Sequence, residues 1–243
     1  MLVNDEIVKN ILKLVESILP SDAKILIVSH TGSRAFGWGA ENLDYDFRGV
    51  FYVSKTYWDW THIGIKGYDI TMETLEHLKW QIYYRHWTVF YNLSKPVYLN
   101  PIFDMDRFLS LCGSDCIKYH LPSIKSEILR LKHVHKSPRA GLHCYKELMI
   151  PIYYLKTGKI EINCAKLNEE YFHLEQFDRM LENYKYSRKV EINWDEAIKD
   201  YDELLSELEN LLEKRDDRLD VNKLNEFIKD IEDKIKVVEV KNN

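Results

Sequence analysis

With 243 residues, 45% hydrophobic and 30% charged, the chain carries enough apolar material for one sizeable core or two smaller ones. A formal charge of −5 excludes nucleic-acid binding through bulk charge, so any such contact must use a local basic patch. No apolar run reaches the roughly 20 residues of a membrane span and no secretory pattern opens the chain, so a cytoplasmic setting without a membrane partner is expected.

In chain order, Ile7, Ile11, Leu14, Val15 and Ile18 recur at helical spacing over residues 4–19, with Asn4 as the cap. Pro20, Ser21 and Asp22 end this helix. The apolar run Ile25, Leu26, Ile27, Val28 then reads as a buried strand, broken by a turn at Gly32 and Ser33. Gly32 allows close backbone approach to a ligand, and Ser33 adds a hydroxyl beside its amide. A short helix opening at Ser33 presents free amides to phosphate, and Arg34 adds a charge-assisted, bidentate contact. Such turns end many strands, so this one alone is weak evidence. Gly37 and Gly39 flank Trp38 in what reads as a flexible loop over a pocket.

A second strand is expected from Leu43 to Val53, with Asp44 and Asp46 two residues apart on one face. Neighbouring carboxylates repel unless a cation intervenes, and hard oxygen donors suit Mg²⁺ completed by water and a substrate phosphate. Arg48 shares that face, as a salt-bridge partner or a phosphate contact. An aromatic loop follows with Tyr57, Trp58, Trp60 and His62, and then a short third strand from Gly67 to Met72 with Asp69 in its middle. A third carboxylate on a neighbouring strand completes a metal-binding trio, for which Asp59 and Glu73 are rivals of Asp69. Glu73 at a helix start serves equally well as a dipole partner for the expected helix from Glu73 to Trp80.

His86, Trp87, Tyr91 and Asn92 fall on an expected helix from Lys79 to Leu93, where aromatics read first as core and second as a base-stacking platform. Pro96 and the Asn100-Pro101 pair break the pattern and place a domain boundary near residue 103. From Met105 the chain reads as helical. Lys118, Lys125, Arg130, Lys132, His133, His135, Lys136 and Arg139 are its one basic concentration, a solvated helix face or a hold on triphosphate or RNA. Arg139 and His143 are too close in sequence for the Arg-x₄₋₆-His nuclease pattern, which is set aside. Cys112, Cys116 and His120 recur every four residues, which describes one face of an ordinary helix better than a metal clip. Gly158 ends a helix, and three further helical segments follow from Asn168 onward, one capped by Asn193 and the last opened by Asp220. These C-terminal helices complete a bundle or offer a surface for self-association.

The motifs together resemble those of the DNA polymerase beta superfamily of nucleotidyltransferases: apolar strand, Gly-Ser, Asp-x-Asp on the next strand, and a third Asp later. More narrowly, GSRAFGWG, LDYDFRGVFY and YDITMETLEHL are similar to a predicted nucleotidyltransferase family associated with RNA-repair gene neighbourhoods. Residues 136–159 resemble its helical half more loosely, and Leu43 stands where that family often has Ser. The resemblance implies an α+β chain, a mixed-sheet, polymerase-beta-like catalytic domain over 1–103 and a helical bundle over 104–243. It further implies transfer of a nucleoside monophosphate from a triphosphate such as ATP to a hydroxyl, an RNA end being one acceptor. Asp44, Asp46 and Asp69 would hold two Mg²⁺ or Mn²⁺ ions, and Gly32, Ser33, Arg34 and Arg48 the nucleotide. The alternatives are a non-catalytic nucleotide or RNA sensor, and nucleotidylation of a protein or small molecule.

Overall fold

The computed structural model describes residues 3–39, 44–54, 60–65 and 67–242, with backbone alone at 60 and 239–242. Helix α1 (Asp5–Ile18) starts where Asn4 Oδ1 accepts the Ile7 amide, and leads to strand β1 (Lys24–Thr31) and a four-residue helix α2 (Gly32–Ala35). Strands β2 (Tyr45–Tyr52), β3 (Trp60–Ile65) and β4 (Tyr68–Thr74) follow, then α3 (Leu75–Tyr83), α4 (Trp87–Leu93) and strand β5 (Pro96–Leu99). The remainder is helical: α5 (Met105–Ser110), α6 (Ser114–His133), α7 (Pro138–Thr157), α8 (Cys164–Leu167), a π turn at Asn168–Phe172, α9 (Glu175–Tyr186), α10 (Trp194–Glu213) and α11 (Val221–Asn242). The α+β class is therefore as expected, a mixed sheet with helices after it. Among the described residues no helix is long and apolar enough to cross a membrane.

By contact the chain divides into two compact units, Met1–Thr31 with Asp44–Gly113 and Leu219–Asn243, and Gly32–Leu43 with Ser114–Arg218. The first holds a five-stranded sheet in the order β3-β4-β2-β1-β5. β2 and β4 run parallel; the other pairs are antiparallel. One face is a dry core, where Ile11 and Val15 of α1 pack on Val28, Phe47, Phe51, Ile70 and Met72. Gly49 is part of that fit: a Cβ there would lie 2.5 Å from the Met72 sulfur and 2.7 Å from the Ile27 carbonyl oxygen. On the opposite face α4 docks through Ser29 Oγ to the Leu93 carbonyl (2.8 Å) and Thr31 Oγ1 to Asn92 Oδ1 (2.8 Å). Trp87 and Tyr91 are buried there, which makes them core rather than a platform. The chain's last helix belongs to this unit too, with Phe227 edge-on to Phe103 and Asp230 accepting from Arg107 at 3.3 Å.

The second unit is built on α6, α7, α9 and α10. Tyr145 on α7 packs on Tyr201 of α10 (4.5 Å between rings) and donates to Asp200 at 2.7 Å. Gly158 closes α7 in the left-handed conformation, and Asn193 caps α10 by accepting the Asp195 and Glu196 amides.

Several local expectations are corrected. Residues 60–65, read as the end of an aromatic loop, form β3, so the strand expected third is β4. The helix expected from Glu73 begins at Leu75, because Thr74 takes the cap by accepting the His77 amide. The single helix expected over Lys79–Leu93 is broken at Arg85, whose φ of +60° no helix accommodates. Pro96, read as a break, opens β5, an edge strand whose missing amide costs no ladder bond at its first position. Asp44 lies just outside β2 rather than within it.

Candidate active site

The parallel register of β2 and β4 sets Asp46 directly beside Asp69, with Arg48 beside Thr71 and Val50 beside Glu73. On its other side Asp46 is paired with Thr31 of β1. Paired residues of adjacent strands share a face, so Asp46, Arg48, Asp69, Thr71 and Glu73 all stand on the face opposite α1. Both aspartates are partly exposed, the Asp69 side chain at 49%. His62 of β3 comes from the same face, and its Nε2 lies 2.9 Å from Asp69 Oδ1. That histidine was assigned to a loop at the sequence level; the alternation His62, Gly64 against Ile63, Ile65 was the available signal.

Asp44 is used differently. Exposed and ahead of β2, its Oδ1 accepts the Gly67 amide at 3.1 Å and ties down the turn that enters β4. Of the rivals for a third carboxylate, Asp59 lies outside the described residues. Glu73 sits at the inner end of β4, where Gln81 Nε2 donates to Oε2 at 2.6 Å and His77 Nε2 is 3.7 Å away. Burial pushes the Glu73 carboxyl up to about 7, against the opposing pull of the Arg48 charge and the Gln81 hydrogen bond.

A divalent cation of the Mg²⁺ type needs one or two carboxylates and takes its remaining ligands from water and phosphate. The side-by-side, partly exposed pair Asp46 and Asp69 fits that requirement. Three protein donors do not converge: among the described residues no three His, Cys, Asp or Glu side chains group closely enough to hold a metal ion. The four cysteines are free thiols and buried, as core thiols are.

The expected phosphate turn falls in the second unit. Gly32 has φ of +71°, the left-handed conformation that favours glycine, and opens α2. The Ser33 carbonyl accepts the amides of both Trp38 (3.0 Å) and Gly39 (2.7 Å). Arg34 follows within the same four-residue helix. The segment after it is held in place. The Phe36 carbonyl accepts the Cys164 amide at 2.9 Å, Lys185 donates to the Gly37 carbonyl at 3.1 Å, and Trp38 is buried against His143.

Half of the basic concentration is answered within its own unit. Lys118 donates to the Arg215 carbonyl (2.6 Å), while Lys125 meets Glu209 (2.5 Å), Arg130 meets Glu127 (2.6 Å) and Lys132 meets Asp202 (2.6 Å).

No family model matches the chain, and no curated protein matches it. Among solved structures, the crystal structure of a spectinomycin adenyltransferase from Enterococcus faecialis with ATP and spectinomycin is similar at 17% identity and a TM-score of 0.45, over 87% of this chain and 100% of that one.

Proposed function

We propose that this chain is a metal-dependent nucleotidyltransferase, moving a nucleoside monophosphate from a triphosphate to a hydroxyl, with an RNA end as the acceptor. More narrowly, we place it with the predicted nucleotidyltransferase family of RNA-repair gene neighbourhoods, on the strength of GSRAFGWG and LDYDFRGVFY. The observation that carries the reading is the register match of Asp46 with Asp69 on parallel strands. Two carboxylates side by side are unfavourable alone and favourable around a cation.

In this reading Asp46 and Asp69 would hold the cation, with Asp44, two residues before Asp46, as a further oxygen donor. Mg²⁺ or Mn²⁺, when bound, supplies charge neutralisation for the triphosphate. Arg48 offers a phosphate contact from the same face, and Gly32, Ser33 and Arg34 of the second unit are assigned to the nucleotide through amides, a hydroxyl and a guanidinium. The acceptor oxygen bonds to the α-phosphorus as the bond to the bridging oxygen breaks and pyrophosphate leaves, so positioning and charge neutralisation are the protein's main tasks. His62 fixes the orientation of the Asp69 carboxylate. We assign catalysis to residues 1–103 and acceptor recognition to the helical remainder.

The test is incubation with each α-labelled triphosphate and Mg²⁺ or Mn²⁺, against RNA, an unrelated protein and the chain itself. Label on RNA with pyrophosphate release, absent in Asp46→Asn, is the expected result. Nucleotide binding with no pyrophosphate release would replace this reading by that of a non-catalytic sensor, and label on protein alone would change the acceptor.

A further inference from the structure

Helices α6 and α7 form an antiparallel hairpin within the second unit, and the seam between them opens into a cleft of ≈ 490 Å³. That volume lies within the usual range for small-molecule sites, about 300–1,000 Å³. His120, Glu127 and Arg130 line it from α6, and Arg139, His143 and Glu147 from α7. The three α7 residues are spaced by four and so share one stripe, spanning about 12 Å along the helix.

Two arginines and two glutamates line this cleft, and because Lys146 behind it answers Glu147, one arginine is left over. Arg130 neutralises Glu127 (2.6 Å), and Glu147 is held between Lys146 (2.6 Å) and His120 (3.0 Å). Arg139 is left without an ion pair among the described residues, in the first turn of α7, where the helix dipole opposes a cation. His143, one turn further in, is held neutral: burial and the charges of Lys146, Arg139 and Arg130 lower it to about 4, against the pull of Glu147. Its ring touches Trp38 edge-on at 5.8 Å. A neutral imidazole offers one donor and one acceptor, as a hydroxyl-bearing ligand requires.

We infer that the α6–α7 cleft binds a small phosphomonoester, its phosphate between Arg139 and Arg130 and its hydroxyl-bearing body against His143 and Glu147. Arg139 and Arg130 supply charge-assisted hydrogen bonds to the dianion, and Glu147, already fixed by Lys146 and His120, accepts from a ligand hydroxyl. Nothing in this assignment depends on the nucleotidyl-transfer reading, whose catalytic and nucleotide-binding residues all lie outside this cleft.

The test is calorimetric titration of the full chain with ribose 5-phosphate, inorganic phosphate and ribose. Ribose 5-phosphate should bind, inorganic phosphate more weakly, and ribose not measurably. Arg139→Gln, an exposed change with no partner to lose, should weaken ribose 5-phosphate about tenfold, whereas Asp46→Asn should leave it unchanged. His143→Gln should weaken the ester more than inorganic phosphate. Failure of both phosphate probes to bind, or equal affinity in Arg139→Gln, overturns the site. Equal affinity for the ester and inorganic phosphate overturns the ester assignment, and loss of binding in Asp46→Asn overturns the placement of the probe in this cleft.

Discussion

In the helical unit Lys125, Lys132 and Lys156 each meet a carboxylate of α10, and the buried Glu147 is answered by both Lys146 and His120. On the sheet, by contrast, Asp46 and Asp69 stand in register on one partly exposed face, carboxylate beside carboxylate. The first arrangement is complete as it stands. The second sets two partly exposed carboxylates in register, one of them met by His62 at 2.9 Å, and it is the pair to which the proposed cation is assigned. The contrast also reverses the weights that charge alone suggests. The basic run of the middle helices attracts attention in an acidic protein, yet half of its members are engaged by neighbouring oxygens.

Substitutions can break this contrast in order of size. Asp46→Asn should lower nucleotide transfer by at least about 10²-fold while leaving the melting temperature nearly unchanged, since the side chain is partly exposed and the change keeps its size. Transfer at the wild-type rate would remove Asp46 from the chemistry. Lys146→Met should destabilise the helical unit by about 3–5 kcal/mol in urea unfolding, because Glu147 keeps its burial and loses a charge partner. Burial raises the Glu147 carboxyl, but Lys146 and His120 outweigh it and hold the group at about 2, below its ordinary 4.5. Its contribution is therefore full above 4.5 and is lost as pH falls toward 2, so Lys146→Met should flatten that acid-side slope.

Glu73 shows the opposite sign. Its carboxyl is raised from 4.5 to about 7, so the folded state holds the proton more tightly and stability declines as pH rises through that interval. Glu73→Gln should flatten the decline and gain up to on the order of 3 kcal/mol at pH 8, a net figure in which the Arg48 attraction is already counted. A variant with the wild-type pH profile would show that Glu73 is ionised at no cost. The smallest effect is expected of Lys132→Ala, below about 1 kcal/mol, because its partner Asp202 is half exposed and the pair is screened.

Much of the frame was legible in the sequence where a strong period coincided with a cap. Asn4 before α1, Asn193 before α10 and Asp220 before α11 all accept the amides expected of them. The Asp-x-Asp spacing and the later Asp pointed to one face, and the sheet register pairs the second and third of these residues. What escaped was set by tertiary context. β5 is four residues beginning with Pro, and only its edge pairing with β1 makes it a strand. The break at Arg85 has no glycine to announce it. Asp44 was legible as a carboxylate but its use on the Gly67 amide was not, because that bond depends on how the turn into β4 closes. The membership of α11 in the sheet unit rests on Phe227 meeting Phe103, more than a hundred residues away in sequence.

The most direct measurement of the central claim is electron paramagnetic resonance of Mn²⁺ titrated into the chain with a non-hydrolysable ATP analogue. Bound Mn²⁺ in the wild type, with affinity at least about tenfold weaker in both Asp46→Asn and Asp69→Asn, is the predicted result. Equal Mn²⁺ affinity in the wild type and both variants would contradict the account.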